Sequence, residues 1–200
     1  MGGRGSGGAV ASISKLNVRK AFRDSLQRTD KVRREMQNKT TDEFRQIITQ
    51  RRKETSGVGK EHYEFLKKYA KSKGWKVIEK PIVEGRETAN GYARAAEGII
   101  EIKSGLNISN KAKTMAHEIF HMSKHSPKSG RSKTVIDSRA RKEMEAETFA
   151  DMAMQKMGGK SPSSPYYVEG WRLRENVSTN YLGKEAKPHL QEVFKDMFPD

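Results

Sequence analysis

Apolar residues recur at helical spacing through the first part of the chain. Ile13, Leu16, Phe22, Leu26, Val32 and Met36 stand among many Arg and Lys, and Phe44, Ile47 and Ile48 repeat the pattern. This predicts one long basic helix and a second one closed by Ser56-Gly57. Gly57-Val58-Gly59 reads as a joint. From His62 to Lys73 the positions Tyr63, Leu66 and Tyr69 mark an amphipathic helix that Gly74 stops. The pattern then changes period. Trp75 to Ile78, the stretch around Tyr92 to Arg94, and Gly98 to Ile102 read as short strands, divided by Pro81, Gly85 and Asn90-Gly91. Helical spacing returns from Ser109 to Lys124 and from Arg141 to Met157, and a last helix carries Trp171, Leu173 and Val177 as expected core residues.

This order of elements predicts an α+β fold in three stretches. Residues 1–9 are a Gly-rich tail expected to be disordered, because it has nothing to bury. Residues 10–57 form a basic helical extension, and 58–200 a single domain. The length of 200 residues suits one domain plus an extension.

Charge changes the picture of the N-terminal part. The net charge is +15, and residues 1–80 hold 21 Lys and Arg against 9 Asp and Glu, while the remaining 120 hold 19 against 16. A basic lobe of this kind can meet nucleic acid or an acidic protein partner, or serve as a solvated helical surface. No helix-turn-helix, zinc-finger or RNP pattern accompanies it. No run approaches the roughly 18 apolar residues of a membrane span, and Met-Gly-Gly-Arg-Gly-Ser-Gly-Gly has no hydrophobic region behind it. The expectation is no membrane partner and a cytoplasmic location, with delivery by another route left open. Cysteine is absent, so any metal must be held by His and carboxylate.

The candidate chemistry lies in His117-Glu118-Ile119-Phe120-His121, an H-E-x-x-H pattern on a predicted helix. Residues four apart share a helix face, so both imidazoles can reach one cation, with Glu118 beside them as a general base. Met115, Ala116, Ile119 and Phe120 supply the apolar side that would hold such a helix in a core. A catalytic zinc commonly takes two His and one carboxylate and keeps one position open. The helix from Arg141 to Met157 offers Glu143, Glu145, Glu147 and Asp151, with Ala146 and Ala150 allowing close approach. Glu143 and Glu147 share a face, so one can bind metal while the other orients a ligand His through its second nitrogen. Glu145 stands as the fallback ligand.

The pairing of His117-Glu118-Ile119-Phe120-His121 with Glu143-Met144-Glu145-Ala146-Glu147 resembles the H-E-x-x-H and E-x-x-A-E elements of gluzincin metallopeptidases. His121 to His125 resembles the H-W-T-G-H run of ArdC-type antirestriction proteins, with Met122 at the Trp and Lys124 at the Gly. Ala140 to Glu147 resembles their A-R-E-E-L-V-A-E segment, and Tyr167 to Trp171 their Y-x-x-x-W element. Glu143 to Ala150 is similar to the arrangement in ImmA/IrrE-like peptidases. The resemblance covers residues 90–175. It implies a minigluzincin-like domain, Zn²⁺ at His117, His121 and Glu143 with Glu147 behind them, and hydrolysis of a polypeptide substrate with Glu118 as base. ArdC-type proteins also carry a single-strand-DNA-binding domain, which the first 80 residues do not match.

Two other functions compete with this one. A nucleic-acid-binding or antirestriction protein of a mobile element would keep the metal site as a structural remnant. A phage-type structural or assembly protein would dock through its N-terminal helices. Among single residues, His125 is open as a fourth ligand, a substrate contact or a helix-end residue. Tyr166 and Tyr167 are candidates for a hydroxyl that meets the transition state, or for packing. His62 and His189 read as structural or exposed, and Asn107 and Asn110 as helix caps.

Overall fold

Asn17 and Thr40 start the first two helices. The Asn17 side chain accepts from the Lys20 N–H at 2.9 Å, and Thr40 and Glu43 form a reciprocal capping box. In the computed structural model, which describes residues 13–83, 88–126 and 138–199, these helices are α1 (Val18–Met36) and α2 (Thr41–Lys53). α3 (Lys60–Ser72) ends at Gly74, whose φ of +77° lets the chain reverse. The expected disorder of 1–9 and the turn at Gly85 lie outside the described residues.

Three strands follow: β1 (Lys76–Lys80), β2 (Gly91–Arg94) and β3 (Ile99–Lys103). β3 lies in the centre, parallel to β1 and antiparallel to β2. Alternation along β3 turns Ile100 and Ile102 inward, both fully buried. The chain is then helical: α4 (Ile108–Lys124), α5 (Arg139–Lys156), α6 (Ser164–Arg174), a π-helical turn at Leu182–Ala186 and α7 (Lys187–Met197). Among the described residues the architecture is α+β, with seven helices and one small mixed sheet.

α5 is the centre of the helical layer. It packs against α1, α4, α6 and α7, and Met144, Ala146, Phe149, Ala150, Met152 and Ala153 are buried on it. Its charged residues Glu145, Glu147 and Asp151 are buried as well, so each needs a partner from another element.

The basic helix α1 belongs to this core. Ala21 and Phe22 join the same apolar cluster as Phe120 and Phe149, and Arg28 meets buried Asp151 at 2.5 Å. The Lys156 ammonium also donates to the Leu16 carbonyl at 2.8 Å. Its many cations occupy the outer face, where Lys20–Asp24 and Arg33–Asp30 pair one helical turn apart. Leu173, expected in the core, is 56% exposed, because it lies on the outward side of α6. Val177 is buried as expected but falls beyond the end of that helix. No helix among the described residues is long and apolar enough to cross a membrane.

Candidate metal centre

α4 is placed by both of its ends and by one face. Asn107 caps it, accepting the Asn110 N–H at 2.8 Å, so Asn107 is the cap and Asn110 the residue it satisfies. Ala112, Met115, Ala116, Ile119 and Phe120 are fully buried, which holds the helix against α5 and β3. His117 and His121, one turn apart, lie on the side facing α5, and Glu143 on α5 points back at them.

The three residues converge on one point. Nε2 of His117 and Nε2 of His121 are 3.1 Å apart. Oε2 of Glu143 lies 3.4 Å from the first and 3.8 Å from the second. For zinc bonded at about 2.0–2.1 Å in a tetrahedron, neighbouring donors are about 3.3–3.4 Å apart. The observed triangle brackets that spacing, and the donor atoms lie within 4.8 Å of one another. The group can therefore hold a metal ion, and its two imidazoles and one carboxylate suit a borderline cation.

Each imidazole is held from behind. Oε2 of Glu147 is 3.1 Å from Nδ1 of His117, and its other oxygen meets the Lys113 ammonium at 2.5 Å. Nδ1 of His121 is 2.8 Å from Nδ1 of His125, whose Nε2 is 2.9 Å from buried Glu145. The Tyr181 hydroxyl donates to the other Glu145 oxygen, and His189 lies 4.0 Å from it. One set of tautomers satisfies all of these contacts. His117 donates from Nδ1 to Glu147, His121 donates from Nδ1 to His125, and His125 donates from Nε2 to Glu145. Once His117 gives up its second proton, as metal binding requires, both Nε2 lone pairs face the shared point.

This geometry settles where several candidate residues stand. Glu143 is in the triad, while Glu145 faces the interior beside His125 and Tyr181. Glu147 lies behind His117, against its second nitrogen. Both nitrogens of His125 are engaged, so it braces His121 from behind. His62 is buried and accepts the Gly59 N–H at 3.2 Å. Tyr166 donates to Glu35 at 3.2 Å, away from the triad, whereas Tyr167 lines the same cleft as His117. Comparisons of the chain with known families, curated proteins and solved structures found no match. The chemistry of the site rests on its own residues.

Those residues are electrostatically coupled. Burial pushes the His117 imidazolium toward losing its proton, but Glu143 and Glu147 outweigh this and hold its pKa up at about 10. Burial acts upward on Glu143 and Glu147; against it, His117 and His121 hold Glu143 well below the carboxylate range, and Lys113 and His117 bring Glu147 to about 2. A proton on His117 thus balances negative charge that a divalent cation can balance in its place. Glu118 behaves oppositely, since its burial raises its pKa more than the neighbouring imidazoles lower it.

The triad opens on a cleft of about 590 Å³, walled by Gly91, Tyr92 and Ala93 of β2 on one side and by Arg139, Tyr167 and Trp171 on the other. β2 passes so close to α4 that a Cβ at Gly91 would meet the Thr114 methyl at 2.5 Å and a Glu118 oxygen at 2.9 Å. Glycine there lets the strand reach the helix. Lys113, Tyr181 and the bracing role of His125 were not marked by the sequence. Only the one-turn spacing of Lys113 from His117 offered a hint.

Proposed function

We propose that this chain is a zinc-dependent metallopeptidase with a minigluzincin-like domain, in which His117, His121 and Glu143 hold the metal and Glu118 is the general base. The observation that carries the reading is the convergence of two imidazoles from one turn of α4 and a carboxylate from α5, with Glu118 in the same cleft. When bound, zinc lowers the pKa of a coordinated water and polarises the carbonyl under attack.

The side chains divide the remaining work. Glu118 is only 6% exposed, and its raised pKa suits a group that must take a proton from the attacking water and release it to the leaving amine. Its carboxylate lies against β2, where a Cβ at Gly91 would come within 2.9 Å of it. Glu147 and His125 keep the two imidazoles oriented. Among the described residues β2 lies at an edge of the sheet beside the cleft, the position from which a sheet takes up an extended peptide. Tyr167, with its pKa raised chiefly by burial, keeps its proton at neutral pH and can donate to the developing oxyanion.

The test is metal analysis of wild type, His121→Ala and Glu143→Ala, together with peptide hydrolysis by Glu118→Gln. Wild type is expected to carry one zinc per chain and both ligand variants to lose it. Glu118→Gln should keep the metal and lose hydrolysis. Wild type without stoichiometric metal would overturn the proposal.

A further inference from the structure

The cleft around His117, Glu118, His121 and Glu143 has cations at its rim: Arg52 from the last turn of α2, Lys113 from α4, and Arg139 and Lys142 from α5. The carboxylates among its described residues are already engaged. Glu143 belongs to the triad, Glu147 lies between His117 and Lys113, and Glu118 is buried against β2. A divalent ion adds further positive charge. The open part of the cleft therefore favours an anionic occupant.

Two of the cations are poised to bind one. Arg139 is 69% exposed and only 3.9 Å from Glu143 Oε1, and its guanidinium lies over Trp171 at 5.4 Å. Arg52 lies over Tyr167 at 5.8 Å. A guanidinium held near a ring face by its charge keeps N–H donors for a carboxylate. The same ring contacts argue against nucleic acid. Trp171 also carries Arg174 at 4.5 Å and Tyr167 carries Lys113 at 5.2 Å, so the aromatic surface is covered by cations and is not offered to bases, whose stacking drives single-strand binding.

We infer that the cleft recognises an acidic polypeptide, with Arg52 and Arg139 holding Asp or Glu side chains beside the bond to be cut. The cleavage part of this inference rests on the peptidase reading. The binding part does not. Because Arg139 adjoins the triad and an extended chain advances about 3.4 Å per residue, the acidic residue it holds falls within about two positions of the bond.

The experiment uses the zinc-loaded full chain. Binding is measured on Glu118→Gln by fluorescence anisotropy, with a labelled peptide bearing two Glu, its Gln and Lys twins, and an oligothymidylate. Cleavage sites of wild type in a mixed peptide pool are read by mass spectrometry. The Glu peptide is expected to bind on the order of tenfold more tightly than its Gln twin. In this background R52Q should shrink the difference, and R52E/R139E should reverse the order in favour of Lys. Acidic residues should be enriched within two positions of the cuts. Equal binding of the Glu and Gln twins overturns the inference. So does tighter oligothymidylate binding that R52E/R139E abolishes. Cleavage without acidic preference overturns it while leaving the peptidase reading in place. Acidic-peptide binding without cleavage supports the recognition and overturns the peptidase reading.

Discussion

Replacing Glu147 by Gln asks whether a carboxylate behind His117 governs the metal centre. Glu147 is 8% exposed on its side chain and meets two donors, His117 Nδ1 at 3.1 Å and Lys113 Nζ at 2.5 Å. Glutamine keeps the shape but supplies one acceptor and one donor, so either His117 or Lys113 faces an NH₂ group. A hydrogen bond to a charged group contributes about 1.5–3 kcal/mol. Lys113 can fall back on the Ser163 hydroxyl at 3.2 Å and the Tyr167 ring at 5.2 Å, which places the metal-free stability loss near the lower end, about 1.5 kcal/mol. Loss of the partner behind a ligand His weakens metal binding roughly 10- to 100-fold, or about 1.4–2.8 kcal/mol. The assay is competition for zinc against a chromophoric chelator, paired with thermal unfolding of the metal-free protein. Zinc affinity within about twofold of wild type would refute the reasoning, since the predicted minimum is about tenfold. Glu147 would then be only the counter-ion of Lys113.

Other outcomes follow from the same geometry. Gly91→Ala should push β2 off α4 and displace Glu118, costing about 1–3 kcal/mol in thermal unfolding and lowering hydrolysis while zinc stays bound; unchanged turnover would contradict the close approach. Phe149→Ala removes a fully buried ring 5.1 Å from Phe120 and should cost about 3–5 kcal/mol in urea unfolding. The Lys111 ammonium bonds Glu79 at 2.6 Å and lowers its pKa below 4.5. Such a depressed carboxylate stabilises the fold above its unfolded pKa and loses that contribution as pH falls through the folded value. Glu79→Gln should therefore flatten the acid side of the stability profile below pH 4.5, and an unchanged slope would count against the pair.

The two histidines of the triad were legible because helical spacing alone places His117 and His121 on one face. Glu143 was nameable only as one of several carboxylates on a second helix, since choosing among Glu143, Glu145 and Glu147 depends on how two helices rotate against each other. α1 was harder to place. Its cations suggested an extension, yet Ala21, Phe22, Ser25, Thr29, Val32 and Met36 form a buried stripe beneath them. Whether such a stripe meets this core or another protein is a long-range fact that local pattern does not contain. That Glu145 is turned to the interior and Asp151 away from the triad was hidden for the same reason, their partners being Tyr181, His125, Arg28 and Ser161 on other segments.

The triad draws its donors from two helices, α4 and α5. A cation seated there is a cross-link that exists only in the folded chain, so its binding free energy adds directly to folding. Free metal at a hundredfold excess over its dissociation constant would add about 2.7 kcal/mol. With a cation bound there, the midpoint of unfolding would gauge metal supply, and a chelator would act as a denaturant whose strength is set by the affinity of three side chains.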